Sequence, residues 1–405
     1  MTGPAGRPLA TRAVDRIHRL GPLSFSELLE LALYDPEQGF FETAGGAGRR
    51  EADFITSPEV GALFGGVLAR ALDSWWEDLG RPDPYVVVEA GAGRGALARD
   101  VLAARPACAP TLRYVLVERS EHQRARQAAL LPLELPSLVL GPVESGEAGD
   151  ADGGQPWGGV GGAGEVGDDD TERRRVRGRG PLVTALPELP AEPIVSVVVA
   201  NELLDNIPFD VLERRDEGWY EVRVGERAGG LVEVPVPARA GPAREADRLV
   251  PDARPGARVP LQDGARTWLR DALALVTRGR VVAIDYADTT PSMARRPWTE
   301  WVRTYRGHGR GGHPLEHLGD QDVTCEVAWD QLARHRPPTQ LRTQADFLRA
   351  HGLEELVETA RRRWHEGAAR ADLDALAARS RVTEAGALVD PAGLGRFGVL
   401  EWEVG

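Results

Sequence analysis

Residues 85–104 read YVVVEAGAGRGALARDVLAA. The β-branched run Val86–Val88 leads into three glycines at alternate positions, Gly91, Gly93 and Gly95, and the segment after them has helical spacing. That is a strand, a tight turn and a helix in one unit. Glycines in such a turn let the backbone approach a ligand with no Cβ between them and adopt positive φ freely, while the helix N-terminus offers amide donors. The unit predicts an α/β protein with a doubly wound sheet, whose ligands sit at the carboxyl ends of the strands.

Downstream, LRYVLVERS at 112–120 is a second strand, and Glu118 at its end is placed to accept hydrogen bonds from both hydroxyls of a ribose. Two cofactors use this geometry. Gly91, Gly93 and Gly95 form the GxGxG pattern of S-adenosylmethionine enzymes, whereas Gly91, Gly93 and Ala96 satisfy the GxGxxA dinucleotide pattern. Glu89, just before the first glycine, favours the methyl donor: its charge opposes a pyrophosphate but receives the ammonium of a methionine moiety.

Further elements read outward from this unit. A helix is expected at 121–131, a third strand at SLVLG (137–141), and a disordered insertion at 142–180, where Gly, Asp and Glu dominate. The apolar run IVSVVVA (194–200) predicts a strand buried on both faces. FDVLERR, WYEVRV and GLVEVPV alternate with period two and predict an inserted β meander over 209–260. A helix at 261–277, a buried strand at 279–288, a helix from QADFLRAHG onward and a closing strand FGVLEWEV follow. On the N-terminal side, Ser24 and Glu27 form a capping box, and Pro36 with Gly39 forces a turn that clusters Tyr34, Phe40 and Phe41. Ser57 and Pro58 open a helix of about twenty residues that Gly80 closes. Residues 1–80 are thus expected to form a helical cover, and 81–405 a Rossmann-like domain.

The 405 residues are 42% hydrophobic and 27% charged, the balance of a globular protein. No apolar run approaches the roughly 20 residues that span a bilayer. A net charge of −13 disfavours a nucleic-acid partner. All 49 basic residues are arginine, which fits a GC-rich bacterial coding sequence and removes Schiff-base lysine chemistry. Two cysteines, Cys108 and Cys325, give no disulfide framework, and the expected compartment is the cytoplasm.

The segment NELLDNIP (201–208) follows the buried strand, so Asn201 and Asp205 stand at the sheet's carboxyl edge, where they can hold a nucleophilic nitrogen and accept its proton. A helix cap is an equal reading of Asn201. His308, His313 and His317 with Asp320 and Asp322 lack the spacing of a compact zinc motif, and no metal is assigned.

The ordered motifs LALYDPEQGFF, DFITSPEVGALFG, VEAGAGRGALARDVL, NELLDNIPFDV with GWYEVRV, VVAIDYAD and YRGHGRGGHPLEHLGDQDVT resemble the MidA-like methyltransferases. The resemblance implies a class I S-adenosylmethionine fold and a protein substrate, an arginine side chain in the mitochondrial members that serve respiratory complex I assembly. It implies cofactor contacts from Glu89, Gly91, Gly93, Gly95, Glu118, Ser57 and Pro58. Catalytic candidates are Asn201, Glu202, Asp205 and Glu59, the carboxylates being suited to hold a guanidinium and take its proton. Tyr34, Phe40, Asp53, Tyr286, Arg306 and His308 are expected to line the substrate site. Leu203 and Leu204 stand where family members carry Phe-Phe. A non-catalytic S-adenosylmethionine-binding scaffold and an NAD-dependent oxidoreductase are the alternative functions.

Overall fold

A computed structural model describes residues 7–43, 56–141, 179–307, 309–367 and 373–405. Asp53, His308 and residues 142–178 of the expected insertion lie outside them. The central sheet has seven strands: β1 (Tyr85–Ala90), β2 (Leu112–Val117), β3 (Leu182–Leu186), β4 (Ile194–Asn201), β5 (Val276–Asp285), β6 (Gln340–Thr343) and β7 (Gly398–Val404). Their spatial order is β6-β7-β5-β4-β1-β2-β3. β1 pairs in parallel with β2 and β4, and β7 runs antiparallel between β5 and β6. The order reverses between β1 and β4, which opens a crevice at their carboxyl ends.

β1 and β2 are buried at every position, as strands covered on both faces must be. One face packs on the helices Ala62–Asp78 and Ala96–Ala103 through Phe64, Leu68, Leu97 and Val101; the other packs on helix Asp263–Leu275 through Leu269 and Leu273.

Two further segments pack against one another. Helices Leu9–Leu20 and Phe25–Tyr34, the second started by the Ser24–Glu27 capping box, pack on the inserted meander instead of the sheet. Leu23 bridges Val224, and Phe25 lies 5.6 Å from Phe209 between ring centroids. The meander has four antiparallel strands, Asp210–Arg215, Gly218–Arg227, Gly230–Pro237 and Arg258–Leu261, with a helix at Ala240–Leu249 that the alternating pattern did not indicate.

Two local expectations differ from the structure. Residues 136–140 form a short helix, not a strand: Pro136 sits in its first turn and only Val139 is buried. A run of three apolar residues, Leu138–Leu140, has no length to fix its period. The edge position of the sheet is taken by β3, beyond the insertion. The helix expected from Ser57 breaks at Gly61 (φ 154°) into Ser57–Val60 and Ala62–Asp78; Glu384 occupies the space a Cβ at Gly61 would need and accepts from the Leu63 N–H at the start of the second helix. Among the described residues, no helix is long and apolar enough to cross a membrane.

Candidate functional site

The glycine turn ties β1 to β2, since the N–H groups of Gly91 and Ala92 both donate to the Val117 carbonyl, at 2.9 and 3.1 Å. All three glycines have positive φ, 71°, 50° and 84°. Their surroundings separate their roles. A Cβ on Gly91 would meet Leu203 at 2.8 Å and one on Gly95 would meet Leu131 at 3.1 Å, but one on Gly93 meets nothing within 4 Å. Gly93 therefore faces open space, and that space is a cavity of about 850 Å³ at the sheet's carboxyl edge.

Glu118 clamps this turn. One carboxylate oxygen accepts from the Gly93 N–H at 2.8 Å and the other from the Ser120 N–H at 2.8 Å. Burial raises its pKa above the usual carboxylate range, and those two donors oppose the rise. Glu89 lies beneath the turn, accepting from the Tyr114 hydroxyl at 2.7 Å. Its burial pushes the pKa up to about 8, against the pull of that hydroxyl.

Of the residues expected at the site, Tyr34, Pro58, Glu59, Glu89, Gly91, Gly93, Glu118, Asn201, Glu202 and Asp205 line the cavity. Ser57 is fully buried and its hydroxyl donates to Gln344. Gly95 stands behind the wall as the residue preceding helix Ala96–Ala103. Phe40 is not in the lining; Phe41, edge-on to it at 5.2 Å, is. Tyr286 packs on Phe397 at 3.9 Å, and Arg306 is exposed.

At the tip of β4 the backbone is strained: Glu202 holds φ 51°, a left-handed conformation that costs a non-glycine residue about 1 kcal/mol. That turn aims its side chain at the short helix Ser57–Val60. One Glu202 oxygen accepts from the Ser57 N–H at 2.9 Å and from the Asn201 amide at 3.3 Å, and the other is buried without a partner. The next turn, Leu204–Asn206, is capped by Asp285 at the end of β5, which accepts from the Leu204 and Asp205 N–H groups at 2.9 and 3.2 Å. Asp205 is 2% exposed, and one of its oxygens has no partner. Asp322, on the strand Asp322–Cys325, accepts from the Asn206 amide at 2.8 Å.

These are four buried carboxylates in one place. Burial is the first cause of a raised pKa in each, to about 8 for Glu202, about 7 for Asp285 and about 6 for Asp322, and the charge of Asp285 raises Asp205 further. Glu59 is raised as well, by burial that outweighs Arg94 at 3.8 Å. Among the described residues no arginine or histidine pairs with Glu202, Asp205, Asp285 or Asp322, and no group of three or more His, Cys, Asp or Glu is placed to hold a metal ion. Sequence reasoning missed Asp285, and weighed Asp322 only as a metal ligand. The position of Asp285 at the end of an apolar strand was the available signal.

The residues fit S-adenosylmethionine: Gly93 leaves bare backbone toward the cavity, and Glu118 and Glu89, which line it, would hold the ribose hydroxyls and the ammonium of the methionine moiety. With the strand order and the polar turn after β4, they define a class I S-adenosylmethionine-dependent methyltransferase. The chain belongs to the MidA-like family. Residues 67–344 match the family model for S-adenosyl-L-methionine-dependent methyltransferases. A Burkholderia thailandensis protein crystallised with S-adenosyl-homocysteine is similar over 99% of this chain and 95% of its own, at 26% identity and a TM-score of 0.74. A native crystal structure from the same organism matches with a TM-score of 0.72 at 25% identity, over 99% of this chain and 95% of its own. Among curated proteins, the mitochondrial protein arginine methyltransferase NDUFAF7 homolog of Drosophila melanogaster is 42% identical over 94 residues, and human NDUFAF7 is 33% identical over 95. Those matches span 21% of each relative's length and 23% and 24% of this chain.

Proposed function

We propose that this methyltransferase acts on a protein side chain, and that the acceptor is an arginine. One observation carries the reading: Glu202, Asp205 and Asp322 line the cavity beside the cofactor turn with no basic partner among the described residues. Buried carboxylates of this kind are costly unless a cation joins them. A guanidinium supplies that cation, along with planar N–H donors for paired oxygens. The similarity to mitochondrial protein arginine methyltransferases supports the same acceptor.

Bound S-adenosylmethionine supplies an activated methyl on a sulfonium, which departs as a neutral thioether. The protein's part is to place the acceptor and manage its proton. A guanidinium nitrogen gains a methyl and must release a proton, and the partnerless oxygen of Asp205 is the acceptor for it. Asn201, at the end of β4, presents its amide at the same edge. The neighbouring Asp285 makes a second charge at Asp205 unfavourable, so Asp205 ionises most readily when the cationic acceptor arrives.

The test is direct. Purified protein is incubated with tritiated S-adenosylmethionine and lysate from cells lacking its gene, and labelled protein is digested for mass spectrometry. Methylarginine that disappears with Asp205→Asn is the expected result. Label confined to small molecules or to other residue types overturns the arginine reading, and cofactor binding with no turnover favours a scaffold.

A further inference from the structure

The cavity wall formed by Ser57–Val60 is held by residues far along the chain. Gln344 opens the helix Gln344–Ala350 and is fully buried. Its backbone N–H donates to Phe397 at 2.8 Å and its side-chain amide donates to the Leu388 carbonyl at 3.2 Å. Its side-chain oxygen accepts from the Ser57 hydroxyl at 3.0 Å. Ser57 in turn donates its N–H to Glu202 at 2.9 Å. Just beyond, Glu384 accepts from the Leu63 N–H at 3.0 Å and from Ser380 at 2.9 Å, so the segment is fixed at both ends.

A buried glutamine with satisfied groups is ordinary in a core. This one differs because the chain of bonds ends on Glu202, a residue of the cavity wall whose second oxygen is buried and partnerless. We propose that Gln344 and Ser57 are positioning residues that fix the Glu202 carboxylate for the methyl acceptor, making the C-terminal helices part of the working site. The inference rests on the methyltransferase reading and not on arginine as acceptor. Besides Ser57 and Asn201, the groups acting on Glu202 are Asp285 from β5 and Glu59 from the short helix; Glu202 in turn acts on Asp205 and Tyr286. The negative ones disfavour its charge, and the Ser57 N–H is a donor that favours it.

Three measurements on Ser57→Ala and Gln344→Leu test this. The carboxyl carbon of Glu202, assigned by its loss in Glu202→Gln, is titrated by NMR in protein free of cofactor. Its midpoint should rise by about half a unit or more in either variant. S-adenosylhomocysteine affinity should stay within about threefold, while methyl transfer to lysate protein falls roughly tenfold. In a Glu202→Gln background, adding Ser57→Ala should slow transfer less than about twofold, because the residue acts through Glu202. An unmoved midpoint overturns the proposal, as does a full further loss in the double variant or a parallel fall of affinity and rate. Ser57→Thr keeps the hydroxyl and should restore the wild-type midpoint. The titration and the affinity measurement use no acceptor, so they stand even if the arginine reading fails.

Discussion

Glu118→Ala removes the clamp on the glycine turn. The wild-type carboxylate takes two backbone donors at 2.8 Å, one from Gly93 and one from Ser120. Hydrogen bonds to a charged group contribute about 1.5–3 kcal/mol each. The Ser120 bond organises the start of the following helix, which Ser120 also caps through its hydroxyl, so only the Gly93 bond bears on the ligand-facing turn. One bond of that size, lost together with the ribose-side acceptor, predicts a rise in the S-adenosylhomocysteine Kd of roughly 10- to 150-fold. Isothermal titration calorimetry at neutral pH measures it directly. Glu118→Gln keeps one acceptor oxygen and should fall between wild type and alanine. An alanine variant that binds within about twofold of wild type refutes the assignment of Glu118 to the cofactor.

The glycines supply a second test. Gly93→Val should abolish S-adenosylhomocysteine binding, because it places a branched side chain in the cavity and on a backbone at φ 50°, whereas Gly95→Ala presses on Leu131 and should show its cost chiefly in Tm. Asp205→Asn should reduce methyl transfer about 100-fold or more with cofactor affinity largely kept, the range expected when a general base is lost. Glu202 gives a pH prediction. Its folded pKa, near 8, lies above the ordinary 4.5, so its stabilising contribution is full below about pH 4.5 and is lost as pH rises through 8. Glu202→Gln should therefore match wild type near pH 4.5 and melt higher, by roughly 2 °C or more, at pH 8; an equal difference at both pH values contradicts this.

The cofactor half of the protein is legible because its signals are local. A strand, three glycines and a helix stand within about twenty residues, and Glu118 follows at the next strand end. The acceptor half is not local. Asp322 meets Asn206 across 116 residues of chain and Gln344 meets Ser57 across 287, and neither neighbour marks its partner in sequence. Asp285 shows the middle case: the apolar run before it marks a strand end, but its role in capping Leu204 and Asp205 depends on β4 and β5 being adjacent. The misread segment 137–141 lies between these, apolar enough to be structured and too short to show a period.

The docking of the first helices onto the meander sets an order of events during synthesis. Leu28, Leu29 and Ile17 leave the ribosome early, yet the surfaces they bury against are carried by Phe209, Val224, Trp301 and Cys325. At 5–20 residues per second, the nearest of these emerges roughly 10–40 s later. For that interval the two helices expose apolar stripes to the cell, and short helices without tertiary partners are marginal in water. These helices, made well before their partners, thus find their place late, and chaperone demand should concentrate on the nascent chain before the meander has emerged.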